Sequence, residues 1–107
     1  MKTLIIANRD RIEAQKRERD GNTFYVKPVV AGEDIEQCAV AFVEVPPGNY
    51  AFGYHYHDQN EEVFYVVSGK GSLRTNQGEV DVAAGDMLVF PTGEEGAHVL
   101  KNTSETE

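Results

Sequence analysis

The sequence predicts an all-β domain, a sandwich or barrel of short, mostly antiparallel strands. Two observations carry that expectation. From residue 24 onward the apolar runs are brief and rich in Val, Phe, Tyr and Leu, and turn signals interrupt them at short intervals. The segments between them are too short for helical crossovers, so neighbouring strands are expected to pair antiparallel.

Taken in order, Thr3–Ala7 (TLIIA) is a β-branched run and reads as a strand. Asn8–Asn22 carries only Ile12 and Ala14 as apolar residues, so it reads as a solvated connection with no apolar stripe. The strands expected next are Phe24–Val30, Gln37–Val45, Ala51–His57, Val63–Ser68, Gly71–Thr75, Glu79–Val82, Asp86–Phe90 and His98–Asn102. Turn residues divide them at Gly32–Glu33, Pro46–Gly48, Asp58–Asn60, Gly69–Lys70, Asn76–Gly78, Ala84–Gly85 and Pro91–Gly93.

The 107 residues are expected to form one domain, residues 1–22 being an N-terminal strand and connection and residues 23–107 the barrel. Ten basic residues stand against eighteen acidic ones, a net charge of −8. That balance argues against nucleic acid or an anionic membrane as partner, because phosphates are repelled over the whole approach. The single cysteine, Cys38, leaves no internal disulfide to form, and a reducing, cytoplasmic setting is the expectation. No run approaches the ~18 apolar residues of a membrane span, and the start is charged too soon for a signal peptide.

The chemistry concentrates in few residues. Of three histidines, two form the pair His55-Tyr56-His57 within a strand pattern. Strand alternation puts His55 and His57 on one face and Tyr54 and Tyr56 on the other. Glu62, Phe64 and Val66 likewise share a face, opposite Val63, Tyr65 and Val67. The polar turn Asp58–Glu61 is expected to fold the Glu62 strand back beside the histidine strand. His98 begins another strand, in phase with Leu100 and Asn102. An isolated His-x-His is a weak signal. A carboxylate at turn distance and a third histidine in a similar strand make convergence on one divalent transition metal the stronger reading. The candidate ligands are His55, His57, Glu62 and His98. Three imidazoles and a carboxylate suit Fe, Mn, Ni, Zn or Cu. On a six-coordinate metal they leave two positions open for a small molecule.

These residues resemble the cupin superfamily over Gly48 to Asn102. In its first motif a glycine precedes H-x-H, and a glutamate and a second glycine follow. Here four residues separate His57 from Glu62, and six separate Glu62 from Gly69. In its second motif a glycine, P-x-G, a histidine and an asparagine follow one another. Here Gly85, Pro91-Thr92-Gly93, His98 and Asn102 supply them. Two spacings depart from the pattern: six residues rather than five lie between Gly48 and His55, and four (EEGA) rather than two between Gly93 and His98.

The resemblance implies a small jelly-roll β-barrel with the metal inside, and a homodimer. It implies a small-molecule ligand or substrate, the family including dioxygenases, decarboxylases and isomerases. Three functional classes stay open: a metal-dependent enzyme acting on a small polar or anionic molecule, a non-catalytic metal and ligand binding module, and a barrel with a purely structural metal. No separate nucleophile–base pair is visible. Tyr50, Tyr54, Tyr56 and Tyr65 read as packing residues rather than acids, and Arg74 as an exposed hairpin residue unless it points inward. Asn102 reads as structural, and the turn glycines as serving the fold. A cupin barrel usually has a further strand beyond Asn102, where this chain has TSETE. The expectation is an unpaired edge at His98–Asn102, covered by the Thr3–Ala7 strand of a partner, or a chain that is a fragment of a longer protein.

Overall fold

The computed structural model describes residues 4–32 and 38–105. Nine strands follow one another: β1 Gln15–Arg19, β2 Asn22–Val30, β3 Val40–Glu44, β4 Tyr50–His55, β5 Glu62–Tyr65, β6 Lys70–Thr75, β7 Gly78–Ala83, β8 Met87–Phe90 and β9 His98–Asn102. Two single 3-10 turns lie at Arg9–Arg11 and Glu94–Gly96. Among the described residues no helix is long and apolar enough to cross a membrane.

The strands form three antiparallel sheets, ordered β1-β2-β3, β4-β9-β6-β7 and β5-β8. The second and third close on each other as the jelly roll. Leu73 and Val82 from one and Phe90 from the other form a buried cluster, joined by Phe64, Val66, Leu88 and Leu100. The three-stranded sheet seals the open side at β4, where Phe24 and Val26 pack on Ala51 with Val45 and Phe52. Two asparagine clips hold that junction. Thr23 N donates to Asn49 Oδ1 at 2.9 Å, and Tyr50 N to Asn22 Oδ1 at 3.1 Å.

Four expectations need correction. Leu4–Ala7 forms no strand; β propensity without a ladder to join leaves Leu4 83% and Ile6 89% exposed. Thr3 and Gln37, the first residues of two expected strands, lie outside the described residues, as does Glu33 of the expected turn. The connection Asn8–Asn22 does hold a strand. β1 (QKRER) is exposed along its whole length and is held only by its ladder to β2. Its hairpin turns at Asp20 (φ 50°) and Gly21 (φ 80°), the backbone that an Asp-Gly pair adopts between twisted strands.

The third correction is to the Glu62 strand. It does not return beside the histidine strand: β5 pairs with β8, Glu62 opposite Phe90, and belongs to the other wall of the barrel. The fourth concerns β9, which is not an edge. It lies between β4 and β6, so both sides of its backbone are paired. Asn102 is structural, as expected. Its side-chain amide donates to the Val45 carbonyl, and its Oδ1 accepts from Ser104 N at 2.8 Å.

Candidate metal centre

The site forms where the two walls meet. β4 and β9 place His55 directly opposite His98 in their ladder. Glu62, first residue of β5, reaches them from the facing wall. His98 Nε2 lies 2.8 Å from Glu62 Oε1, and His55 Nε2 lies 3.7 Å from the same oxygen. One donor atom from each of His55, Glu62 and His98 falls within a sphere of mutual separations of 4.8 Å, the compactness a metal ion requires. His57 stands just past the end of β4, outside that set. Its Nε2 is 3.2 Å from the other carboxylate oxygen, Oε2, and its ring is 5.2 Å from that of His55. The His57 carbonyl accepts from Gly93 N at 2.8 Å, tying this end of β4 to the turn that leads into β9.

Both walled histidines are oriented by the same local device. His98 Nδ1 lies 2.7 Å from the Gly96 carbonyl, and His55 Nδ1 lies 2.6 Å from the Gly53 carbonyl. A carbonyl only accepts, so each Nδ1 carries the proton. In the neutral ring Nε2 is then a bare lone pair, and both such lone pairs face Glu62. The extra residues between Gly93 and His98 make this possible, because EEGA forms the 3-10 turn Glu94–Gly96 that brings the Gly96 carbonyl back under His98. A β-bulge between Ala51 and His55 does the corresponding work on β4. Phe52 adopts φ 58° there, and its ring turns inward onto Phe24, 4.5 Å away, rather than outward with Tyr54.

The resulting contact is unusual. His98 is 1% exposed, the only buried polar residue among those described, with its ring stacked 3.6 Å from that of Phe90. Its Nε2 and Glu62 Oε1 are both shut off from solvent and neither has a hydrogen-bond partner. A neutral imidazole lone pair and a carboxylate at 2.8 Å repel each other. The pair is satisfied only by a second proton on His98 or by a cation bound to both atoms. A protonated His98 donates to Glu62 and holds that carboxyl below its ordinary range, against the effect of burial; the nearby imidazoles of His98, His57 and His55 act in the same direction. Keeping an ion pair in so dry a place costs desolvation. A divalent cation held by His55, Glu62 and His98 would satisfy both acceptors, so the donor set fits a transition metal.

The surroundings leave the site accessible. The side chains of His55 and His57 are 32% and 43% exposed. A cavity of about 480 Å³ lined by Tyr54, Tyr56, Asn76, Glu94 and Ala97 reaches His55. Arg74 does not enter the site: it is exposed, its guanidinium 5.4 Å above the Tyr54 ring on the outside of the barrel. Tyr54, Tyr56 and Tyr65 are outward-facing, as alternation requires. Sequence reasoning missed Gly53 and Gly96. The signal was a glycine two residues before a histidine in both places.

A β-barrel of this topology with histidines and a glutamate converging inside it defines a cupin. The chain belongs to the Cupin domain family, whose pattern matches residues 41–107. It is 33% identical over 67 residues to an oxalate-binding protein of Thermotoga maritima, and spans about half of that relative's length (53%). An uncharacterised protein of Aquifex aeolicus is 31% identical over 98 residues, which cover 88% of this chain and 73% of the relative. Among solved structures, one described as a predicted oxalate decarboxylase from Thermotoga maritima superposes with a TM-score of 0.83 at 23% identity, covering 95% of this chain and 90% of that one. A sugar phosphate isomerase of the cupin superfamily from Silicibacter pomeroyi superposes with a TM-score of 0.80 at 24% identity, covering 95% and 69%. At those identities the likeness establishes the fold.

Proposed function

We propose that this cupin holds one divalent transition metal through His55, His57, Glu62 and His98 and binds a small polar or anionic molecule against it. The observation that carries the reading is the buried, unpartnered pair of acceptors, His98 Nε2 and Glu62 Oε1, fixed 2.8 Å apart. When bound, the metal supplies a Lewis acid that attracts and polarises a ligand oxygen. The chain itself does the rest. Gly53 and Gly96 hold two imidazoles in the tautomer that presents Nε2. Glu62 supplies negative charge from the facing wall, and Phe90 and Phe64 keep water from the His98 side. His57, the more exposed histidine, sits on the open side where a ligand approaches.

A chain of net charge −8 repels anions at long range, so a carboxylate or phosphate ligand needs a local positive charge, which a bound divalent metal would supply. The metal-dependent enzyme is the reading put forward, acting on a small oxygen-rich anion. The second is a module that holds its ligand unchanged, favoured by the description of the Thermotoga maritima relative as an oxalate-binding protein. The open face of the site disfavours a purely structural metal.

Elemental analysis of protein purified without chelator tests the metal assignment, with calorimetry of oxalate binding to the metal-loaded form. One metal per chain is expected. His57→Ala and Glu62→Ala should each lose most of it, and Lys16→Ala none. Unaltered metal content in both site variants overturns the assignment. Turnover of a bound anion separates the enzyme from the binding module.

A further inference from the structure

The outer face of the four-stranded sheet carries a cluster of cations that the metal centre does not use. Lys70, Arg74 and Lys101 are the only basic residues after Lys27, and β6 and β9 bring all three together. Gly71 and Leu73 are buried in the barrel, so alternation along β6 turns Lys70, Ser72 and Arg74 outward. Lys101 of β9 stands opposite Ser72 in the ladder. Lys70 and Arg74 are therefore its diagonal neighbours on the same face, roughly 7–8 Å away. Arg9, Lys16, Arg19 and Lys27 each stand within 4.0 Å of a carboxylate. Among the described residues Arg74 and Lys101 have no such partner and lie instead over tyrosines of β4, each 5.4 Å from the ring centroid, of Tyr54 and Tyr50 respectively. A ring face steadies a cation without using up its N–H donors. Both cations line a cavity of about 270 Å³, together with Tyr50, Ser72, Glu79 and Thr103.

We propose that this cavity is a second ligand site, separate from the metal centre, that takes a small phosphate monoester with a hydroxylated tail. Like charges on neighbouring strands repel each other until an anion lies between them. Arg74 offers a planar fork and Lys101 a point charge, and phosphate oxygens accept from both. The hydroxyls of Ser72, Thr103 and Tyr50 line the same cavity and supply further donors. A carboxylate ligand has two oxygens and one charge, too few for this donor set. β7 brings two acidic residues to the face, Asp81 opposite Ser72 and Glu79 opposite Arg74, and Glu79 lines the cavity. Its carboxylate accepts hydrogen bonds and repels a second anionic group, so it selects a ligand with hydroxyl donors beside its phosphate. The volume falls under the ~300–1,000 Å³ of sites for drug-sized molecules, which limits the ligand to a few carbons. The net charge of −8 opposes approach at long range. Salt screens that field beyond about 8 Å, whereas the two cations act at contact. None of His55, His57, Glu62 and His98 lines this cavity, so the inference stands apart from the metal reading.

Calorimetry of glycerol 3-phosphate binding to the full chain as purified tests the proposal, with Glu62→Ala as the arm that removes the metal. One molecule should bind per chain in both proteins, with affinities equal within about twofold. Arg74→Ala and Lys101→Ala should each weaken binding about tenfold or more, the cost of a lost charge-assisted hydrogen bond, with metal content unchanged. Inorganic phosphate should bind about fivefold more weakly than glycerol 3-phosphate, and Glu79→Ala should erase that difference. Absence of saturable binding to the native chain overturns the proposal, as does binding that survives both cation variants. Binding lost in Glu62→Ala places the anion on the metal and equally overturns it. Should Glu62→Ala misfold, amide chemical shifts of the native chain decide. Those moved by glycerol 3-phosphate must centre on residues 72–74 and 101–103, and movement centred on 55–62 and 98 refutes the outer site. Equal affinity for the two probes in the native chain overturns the part given to Glu79.

Discussion

Replacing Gly96 with alanine tests the orientation of His98 directly. A Cβ at position 96 would lie 1.9 Å from the Pro91 carbonyl oxygen and 3.0 Å from its carbon. Ordinary contact needs about 3.4 Å or more, so backbone must move by about 1.5 Å, and no flexible side chain is there to absorb it. The Gly96 carbonyl is the acceptor of the 2.7 Å bond from His98 Nδ1, and a shift of that size breaks it. Overpacking of this kind costs about 1–3 kcal/mol, and a buried hydrogen bond contributes about 1 kcal/mol more. The expected loss of stability is therefore about 2–4 kcal/mol, read by denaturant unfolding of chelator-treated protein. Metal affinity should fall about 10–100-fold, the usual consequence of releasing a ligand's orienting partner. Nitrogen chemical shifts of His98 should report a mixture of tautomers. Gly53→Ala is the contrast. There the added Cβ meets the Arg19 guanidinium, 2.5 Å from Nε, and that side chain is exposed and free to swing away. Its cost should stay below about 1 kcal/mol, with the His55 bond intact. If Gly96→Ala matches Gly53→Ala in stability and in metal affinity, the orienting role of the Gly96 carbonyl is refuted.

Two further outcomes follow from the same geometry. In metal-free protein the His98 contact lowers the Glu62 carboxyl below its ordinary value of about 4.5. A depressed folded value means the unfolded chain takes up the proton first. The stabilisation is thus complete above about pH 4.5 and fades as pH falls through the lowered value. Thermal melts in chelator should show this acid loss, and Glu62→Gln should flatten it; an equal slope in both proteins would count against the His98–Glu62 contact. Asn102→Ala should cost about 1–3 kcal/mol by stranding the Val45 carbonyl and Ser104 N–H, while metal affinity stays within twofold. A large drop in affinity would instead give Asn102 a part in holding the site.

Much of the site was legible because alternation along a strand is a local property. It put His55 and His57 on one face, Glu62 with Phe64 on another, and the tyrosines outside, without knowledge of any partner strand. Two glycines of the family motifs, Gly69 and Gly85, do sit at positive φ (81° and 94°), where other side chains are strained. Periodicity failed where the backbone departs from it. At the bulge Phe52 turns inward, and a strict count would have sent it out with Tyr54. In β1 a run of charged residues has no apolar phase to read; the Asp20-Gly21 pair is the local sign of the hairpin, and the sequence reading passed over it.

What the chain's own order of residues determined, then, is an all-β cupin with a small set of imidazoles and one acid group in phase to meet. Which strands lie side by side was settled by the folded molecule alone. β5 left the histidine strand for β8, β9 moved from an edge to the middle of a sheet, and two glycine carbonyls came to rest against the histidine rings. Side-chain phase follows from bond geometry between adjacent residues. Strand partnership and a carbonyl's distance to a ring depend on how distant segments close around a shared core, and no short stretch of residues contains that information.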